Sequence, residues 1–217
     1  MKILFILSIF FIAHISYSGK SNSCNKKEYS NVIREKGYIY LQHKTTLDKI
    51  SSIIKTGMIV PFGSIAGQTQ GCAGVHSDRV FFDPTKHKTS PNSIEYHSSS
   101  YSCVSGQENG DLKHATFVFD PKILDESSDF HISSCGWINY GDFDPLTDYD
   151  CSEPLTNLRT MPHIGEIVIK HSVPLKHLTS IFVHPSIKDE VVKKLKEKKE
   201  LLSVNGSPVH DYINRVN

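Results

Sequence analysis

The chain has 217 residues, a formal net charge of +1 and 38% hydrophobic residues. A charge so near zero gives no overall field that would draw the molecule to nucleic acid or to an anionic membrane. The length and apolar content suit one domain with a real core, and no internal repeat is visible.

Met1 and Lys2 make a positive start, and Ile3 to Ile15 is apolar apart from Ser8 and His14. That run is shorter than the about 20 residues a membrane helix needs. Ser16 and Ser18 are small residues at the positions a signal peptidase reads, so residues 1–18 are expected to be a signal peptide cut before Gly19. An uncleaved N-terminal anchor is the alternative. No cysteine follows at lipoprotein spacing and no second apolar run could span a bilayer. The expectation is therefore a secreted protein, extracellular or periplasmic, with no stable membrane insertion after cleavage. Its domain would occupy residues 19–217.

All five cysteines, Cys24, Cys72, Cys103, Cys135 and Cys151, follow the cut. An oxidising compartment favours disulfides, and an odd count suggests two bridges with one thiol left over, in a pattern the spacing does not choose. No Cys-x-x-Cys occurs, which argues against a zinc ribbon or a thioredoxin-like redox site.

Residues 19–36 are polar and read as an entry segment or a short helix. Tyr38-Ile39-Tyr40-Leu41 is strand-like. Thr45 and Asp48 make a capping-box-like start, and Leu47, Ile50, Ile53 and Ile54 recur at helical spacing up to Gly57, a natural C′ residue. Pro61 to Gly74 reads as a loop, and Val80-Phe81-Phe82 as a short strand closed by Asp83-Pro84. Residues 85–114 are long for a plain loop and predict some helix or an insert. Ala115 to Phe119 is a strand, and Trp137 to Asp150 an irregular packed loop. Ile164 to Ile169 and Leu178 to Val183 are the strongest strands. Ser186 with Asp189 then caps a last helix carrying Val191, Val192, Leu195, Leu201 and Leu202. Strand and helix do not alternate regularly, which argues against a doubly wound parallel sheet.

Several chemistries find no motif. There is no His-Glu-x-x-His among the twelve histidines, no Gly-x-Ser-x-Gly elbow and no P-loop, and no metal site is expected. Gly71-Cys72-Ala73-Gly74 suits a disulfide cysteine better than a nucleophile, and Lys193 to Lys199 a solvated helix face better than a binding patch. Asn205-Gly206-Ser207 is a glycosylation sequon weakened by Pro208. What stands out is Glu166, a lone acid entering the apolar run Ile167-Val168-Ile169. A carboxylate at the mouth of a core strand is either ion-paired or functional.

The stretch Tyr40-Leu41-Gln42-His43-Lys44-Thr45-Thr46, followed by Leu47 to Met58 with its closing Gly57, resembles the opening of ADP-ribosyltransferase-fold proteins. Gly165-Glu166-Ile167-Val168-Ile169, with Val173-Pro174-Leu175 and Ile181-Phe182-Val183, resembles the end of the same fold. The nearest flavour is the histidine-type branch, which includes DarT-like DNA-modifying toxins and polymorphic toxin domains. The resemblance implies an α+β single domain with a split mixed or antiparallel β core, stabilised by disulfides. It implies NAD as substrate, no metal, and transfer of ADP-ribose to a macromolecular acceptor, protein or nucleic acid, by an exported toxin or effector. Glu166 would steady the oxocarbenium-like ribose as nicotinamide leaves, the demand also met in glycoside cleavage. His43 would hold the adenosine-side ribose with Thr45 beside it. Either Phe82 or the segment from Tyr96 to Tyr101 would set an aromatic near the nicotinamide. Arginine-modifying members carry a second acid two residues before the catalytic glutamate; Ile164 stands there, which puts arginine in doubt as acceptor. The rivals are an NAD glycohydrolase on this fold, a secreted binding module without catalysis, and a nuclease or RNA phosphotransferase on a related fold.

Overall fold

Alternating apolar residues build the framework. The strands are β1 (Tyr40–Thr46), β2 (Met58–Ile59), β3 (Arg79–Thr85), β4 (His114–Phe119), β5 (Phe130–Ser133) and β6 (Asp148–Asp150). After them come β7 (Glu166–Lys170), β8 (Val173–Pro174), β9 (Leu178–Val183), β10 (Ser203–Val204) and β11 (Ser207–Pro208). The computed structural model describes residues 27–61, 79–87, 114–134, 148–197 and 202–215. The expected leader, the loop after Pro61, Tyr96 and four of the cysteines lie outside the described residues.

Seven strands form one sheet in the order β6-β5-β7-β3-β1-β4-β9, and every neighbouring pair is antiparallel. The fold is thus α+β on a large antiparallel sheet. Leu41, Phe82, Phe117, Phe119, Phe130, Ile132, Ile167 and Ile181 are all at most 2% exposed and join one core. Each such side chain gains about 1.5–3 kcal/mol on leaving water. Phe82 meets Phe119 edge to face at 5.6 Å.

The central strand changes partners halfway along. β3 pairs with β1 from Tyr40↔Thr85 to Gln42↔Asp83, and with β7 from Arg79↔Lys170 to Phe82↔Ile167. Pairing passes from one neighbour to the other between Phe82 and Asp83, so the sheet splits there. This explains why β3 runs through Pro84 instead of stopping before it. Pro84 lies opposite Leu41 where, among the described residues, β3 has a partner on one side only, the edge-like setting in which a missing N–H is tolerated.

Helix α1 (Tyr29–Glu35) buries Tyr29, Val32 and Ile33, a narrow apolar stripe inside the segment that reads as polar overall. The Tyr29 ring stands edge-on to Phe130 at 4.7 Å, and its hydroxyl donates to the Cys151 carbonyl at 2.6 Å. α1 packs against α3 (Ile123–Glu126) and α4 (Leu155–Thr160). The expected three-turn helix after β1 is instead a 3-10 turn at Leu47–Lys49 followed by α2 (Ile50–Thr56). Thr45 does not cap it. β1 continues to Thr46 because Thr45 and Thr46 pair with Ala115 and His114 on β4, and the Thr46 hydroxyl donates to Asp48. Gly57, at φ +70°, ends α2 as expected.

The last helix, α5 (Lys188–Lys196), follows a 3-10 turn at Pro185–Ile187. His184, not Ser186, supplies the cap there, its ring nitrogen accepting from the Ser186 N–H at 3.3 Å. Leu202 packs in the core from beyond the helix, just before β10. Among the described residues no helix is long and apolar enough to cross a membrane.

Candidate functional site at the sheet split

His43 and Glu166 stand on the two strands that flank β3. Counting along β3, His43 follows the last β1–β3 rung, Gln42↔Asp83, and Glu166 precedes the last β3–β7 rung, Phe82↔Ile167. In an unbroken pleated sheet the resulting one-residue offset would send the two side chains to opposite faces. The sheet is broken at this level. Where β1 parts from β3, the His43 imidazole takes the place of a main-chain donor: its Nδ1 lies 2.9 Å from the Phe81 carbonyl.

That contact fixes the tautomer. A carbonyl only accepts, so Nδ1 carries the proton and the neutral ring presents Nε2 as an acceptor. His43 is half-buried, and the ring sits 5.8 Å from the Phe82 ring. Burial holds its pKa below the ordinary histidine value, against smaller opposing effects of the Phe81 carbonyl and Asp83. Lys44 and Asp83 form an exposed ion pair at 3.7 Å beside the split, worth little to stability.

Glu166 is half-buried at the first position of β7. On its other side β7 pairs with β5, Ser133 opposite Glu166, and the Gly165 N–H donates to the Ser133 carbonyl at 2.8 Å. The approach to Glu166 is fixed by Tyr38. Its hydroxyl donates to the Ile164 carbonyl at 3.0 Å and accepts from the Ile164 N–H at 2.8 Å, satisfying both main-chain groups of the residue two before the glutamate.

The other residues singled out from the sequence fare differently. Thr45 is buried on β1, on the same side of the strand as His43. Phe82 is 1% exposed and packed on Phe119, so it supports the His43 ring from the core and offers no open face for a nicotinamide. Tyr96 lies outside the described residues. A cavity bounded by Ile123, Glu126, Ile169, Lys170 and His177 lies at the far end of β7 and holds none of these residues. Among the described residues no cluster could hold a metal ion.

Sequence reading missed a polar row beside Glu166. Ser133 lies opposite Glu166 on one side and Asp148 on the other, so the three share one face across β7, β5 and β6. Ser133 and Asp148 are buried, and Asp148 Oδ2 is 3.4 Å from His131 Nε2. The signal was the alternation Phe130-His131-Ile132-Ser133, a half-buried strand in four residues.

Among solved structures the chain is similar to Thermus sp. 2.9 DarT in complex with carba-NAD+, at 14% identity over 73% of this chain and 89% of that one, with a TM-score of 0.46. It is similar to the same protein in complex with ADP-ribosylated ssDNA, at 13% identity over 82% of this chain and 97% of that one, with a TM-score of 0.47. Thermosipho africanus DarTG in complex with ADP-ribose matches at 12% identity and a TM-score of 0.45, over 82% of this chain and 52% of that one. No protein-family model matches the chain, and no curated protein matches it.

Proposed function

We propose that the protein cleaves NAD at the nicotinamide–ribose bond and transfers ADP-ribose to a macromolecular acceptor. The observation that carries this reading is the split at β3, with a tautomer-fixed neutral histidine on one flanking strand and a strand-leading glutamate on the other. Nε2 of His43 suits a ribose hydroxyl donor, since a neutral imidazole with its Nδ1–H engaged has only an acceptor left to offer. Thr45 is the neighbour on that strand. Phe82 contributes as the floor under His43.

The chemistry asked of Glu166 is electrostatic. As the C1′–N bond breaks, its electron pair leaves with nicotinamide and positive charge grows on the ribose ring. A carboxylate accepting from the ribose 2′-hydroxyl stabilises that charge more in the transition state than in the ground state. The acceptor nucleophile then bonds to C1′ and releases its proton. Glu166 suits this role because the Tyr38 contacts to Ile164 and the Gly165–Ser133 hydrogen bond fix the backbone leading into it. Ile164 is apolar and 4% exposed, so it does not supply the second acid of arginine-modifying enzymes. We further propose that residues 1–18 are removed on export and that the oxidised protein, extracellular or periplasmic, acts as a toxin or effector after export.

The test is incubation with labelled NAD and either protein or single-stranded oligonucleotide acceptors, comparing wild type with Glu166→Gln. Label on an acceptor together with free nicotinamide supports the transferase. Free nicotinamide with no labelled acceptor identifies a glycohydrolase. A folded, oxidised protein that neither binds nor cleaves NAD is a binding module, and the proposal is then wrong.

A further inference from the structure

The chain reaches Glu166 along the connector from α4 to β7, Met161 to Gly165, and the end of α1 grips that connector at two points. α1 closes in a Schellman motif. The Tyr38 N–H donates to the Ile33 carbonyl at 3.2 Å and the Gly37 N–H to the Arg34 carbonyl at 2.8 Å, with Gly37 at φ +85°. The motif fixes the backbone on both sides of Gly37, so Lys36 and Tyr38 leave it in a set geometry. Tyr38 engages both main-chain groups of Ile164 at the far end of the connector. Lys36 engages the near end, its Nζ donating to the Arg159 carbonyl at 2.9 Å and to the Met161 carbonyl at 2.5 Å.

Arg159 lies in the last turn of α4, where carbonyls have no partner within the helix. A cap for α4 would need that bond alone. The second bond goes to Met161, which is past the helix and already on the connector. Lys36 is half-buried, and burial, with the Lys86 charge nearby, holds its pKa below the ordinary lysine value. An ammonium that has given up water needs acceptors in exchange, and the two carbonyls supply them. The neighbouring Arg159–Glu35 ion pair, at 3.2 Å, is exposed on both sides and adds little. We infer that Lys36 is a positioning residue for Glu166: it pins the start of the connector while Tyr38 pins its end, so the carboxylate enters β7 from a fixed backbone. This rests on the reading of Glu166 as the group that stabilises the ribose transition state.

Such a residue acts on turnover rather than on substrate affinity, because the carboxylate matters most as charge develops. Lys36→Met keeps the length of the side chain and removes its donors. It is expected to lower kcat for nicotinamide release by about 10-fold, the scale of a small misplacement in a site, with the Kd for NAD within about twofold of wild type. Hydrogen exchange should show the Ile164 and Gly165 amides losing protection while residues 178–183 keep theirs. Lys36→Arg, which retains donors for both carbonyls, should restore kcat to within about threefold of wild type. Lys36→Gln is too short to serve both carbonyls and carries the test if the methionine variant does not fold. Folding is monitored by thermal unfolding of each oxidised variant. Wild-type kcat in folded Lys36→Met or Lys36→Gln overturns the inference, as does a loss shared equally by Lys36→Arg. If Glu166→Gln is slow while the Lys36 variants match wild type, this inference fails and the reading of Glu166 stands. A Glu166→Gln variant as fast as wild type overturns both.

Discussion

His43 and Glu166 face opposite demands. Glu166 must stay charged, while His43 must stay neutral if Nε2 is to accept. Its burial works in that direction, holding the pKa below the ordinary histidine value. The consequence for stability has a definite sign. As pH falls through the ordinary histidine range, the unfolded chain takes up a proton that folded His43 still declines. The unfolded state then binds more protons, so stability is lost with falling pH until folded His43 itself titrates. Nitrogen-15 NMR of the imidazole should report a neutral, Nδ1-protonated ring at pH 7 and a midpoint below that of an exposed histidine. An Nε2-protonated tautomer would remove His43 as a ribose acceptor. For Glu166 the measurement is kinetic: Glu166→Gln is expected to cut nicotinamide release by at least about 100-fold, the cost of losing one well-placed electrostatic partner. Its melting temperature should stay close to wild type, because the change is nearly isosteric at a half-buried position.

At the scale of elements, local signals were readable where one residue dictates the backbone. Gly57 is such a case. It ends α2 at φ +70°, and a Cβ there would meet nothing within 4 Å. The cost of Gly57→Ala is then purely conformational, about 1 kcal/mol, and should appear as a modest drop in melting temperature with NAD turnover unchanged. Signals failed where tertiary pairing overrode them. Thr45 and Asp48 have capping-box spacing, but pairing with β4 draws Thr45 into the strand and only the Thr46–Asp48 contact survives. Asn205-Gly206 was readable as a sequon and is also the two-residue turn of the β10–β11 hairpin, with φ of +50° and +79°. The bridge from Tyr38 to Ile164 was not legible at all, since it joins residues far apart in the chain. Tyr38→Phe should cost about 1–3 kcal/mol, because it leaves a buried main-chain pair unsatisfied. If Tyr38 also sets the approach to Glu166, kcat should fall as well, and a stability loss with unchanged kcat would confine it to the scaffold.

Over the whole molecule, the sequence offers His43 and Glu166 as candidate residues, while the break in strand pairing between their two strands is not readable from it. Glu166 stands out because it enters an apolar strand, whereas His43, between Gln42 and Lys44, is singled out only through the resemblance. That β3 exchanges β1 for β7 between Phe82 and Asp83 depends on strand pairing across the chain, which no local window contains. The same holds for β6, three residues hidden in a stretch that reads as loop. Among the described residues β6 is the outermost strand of the sheet and pairs with β5 alone, and so short a strand is marginal by its rungs alone. Its anchorage comes from the residue that follows. Cys151 is fully buried and disulfide-bonded, its N–H donates to the Phe130 carbonyl at 3.4 Å, and its carbonyl accepts from Tyr29. We propose that a bridge at Cys151 steadies the strand β6 that it follows. Reduction should lower stability by about 2–4 kcal/mol, and the loss should be local first. Hydrogen exchange should show the amides of residues 130–133 and 148–151 losing protection at reductant concentrations that leave 178–183 protected. Simultaneous loss of protection across all strands would mean that the bridge holds the sheet together as one unit, with no separate hold on the edge beside Glu166.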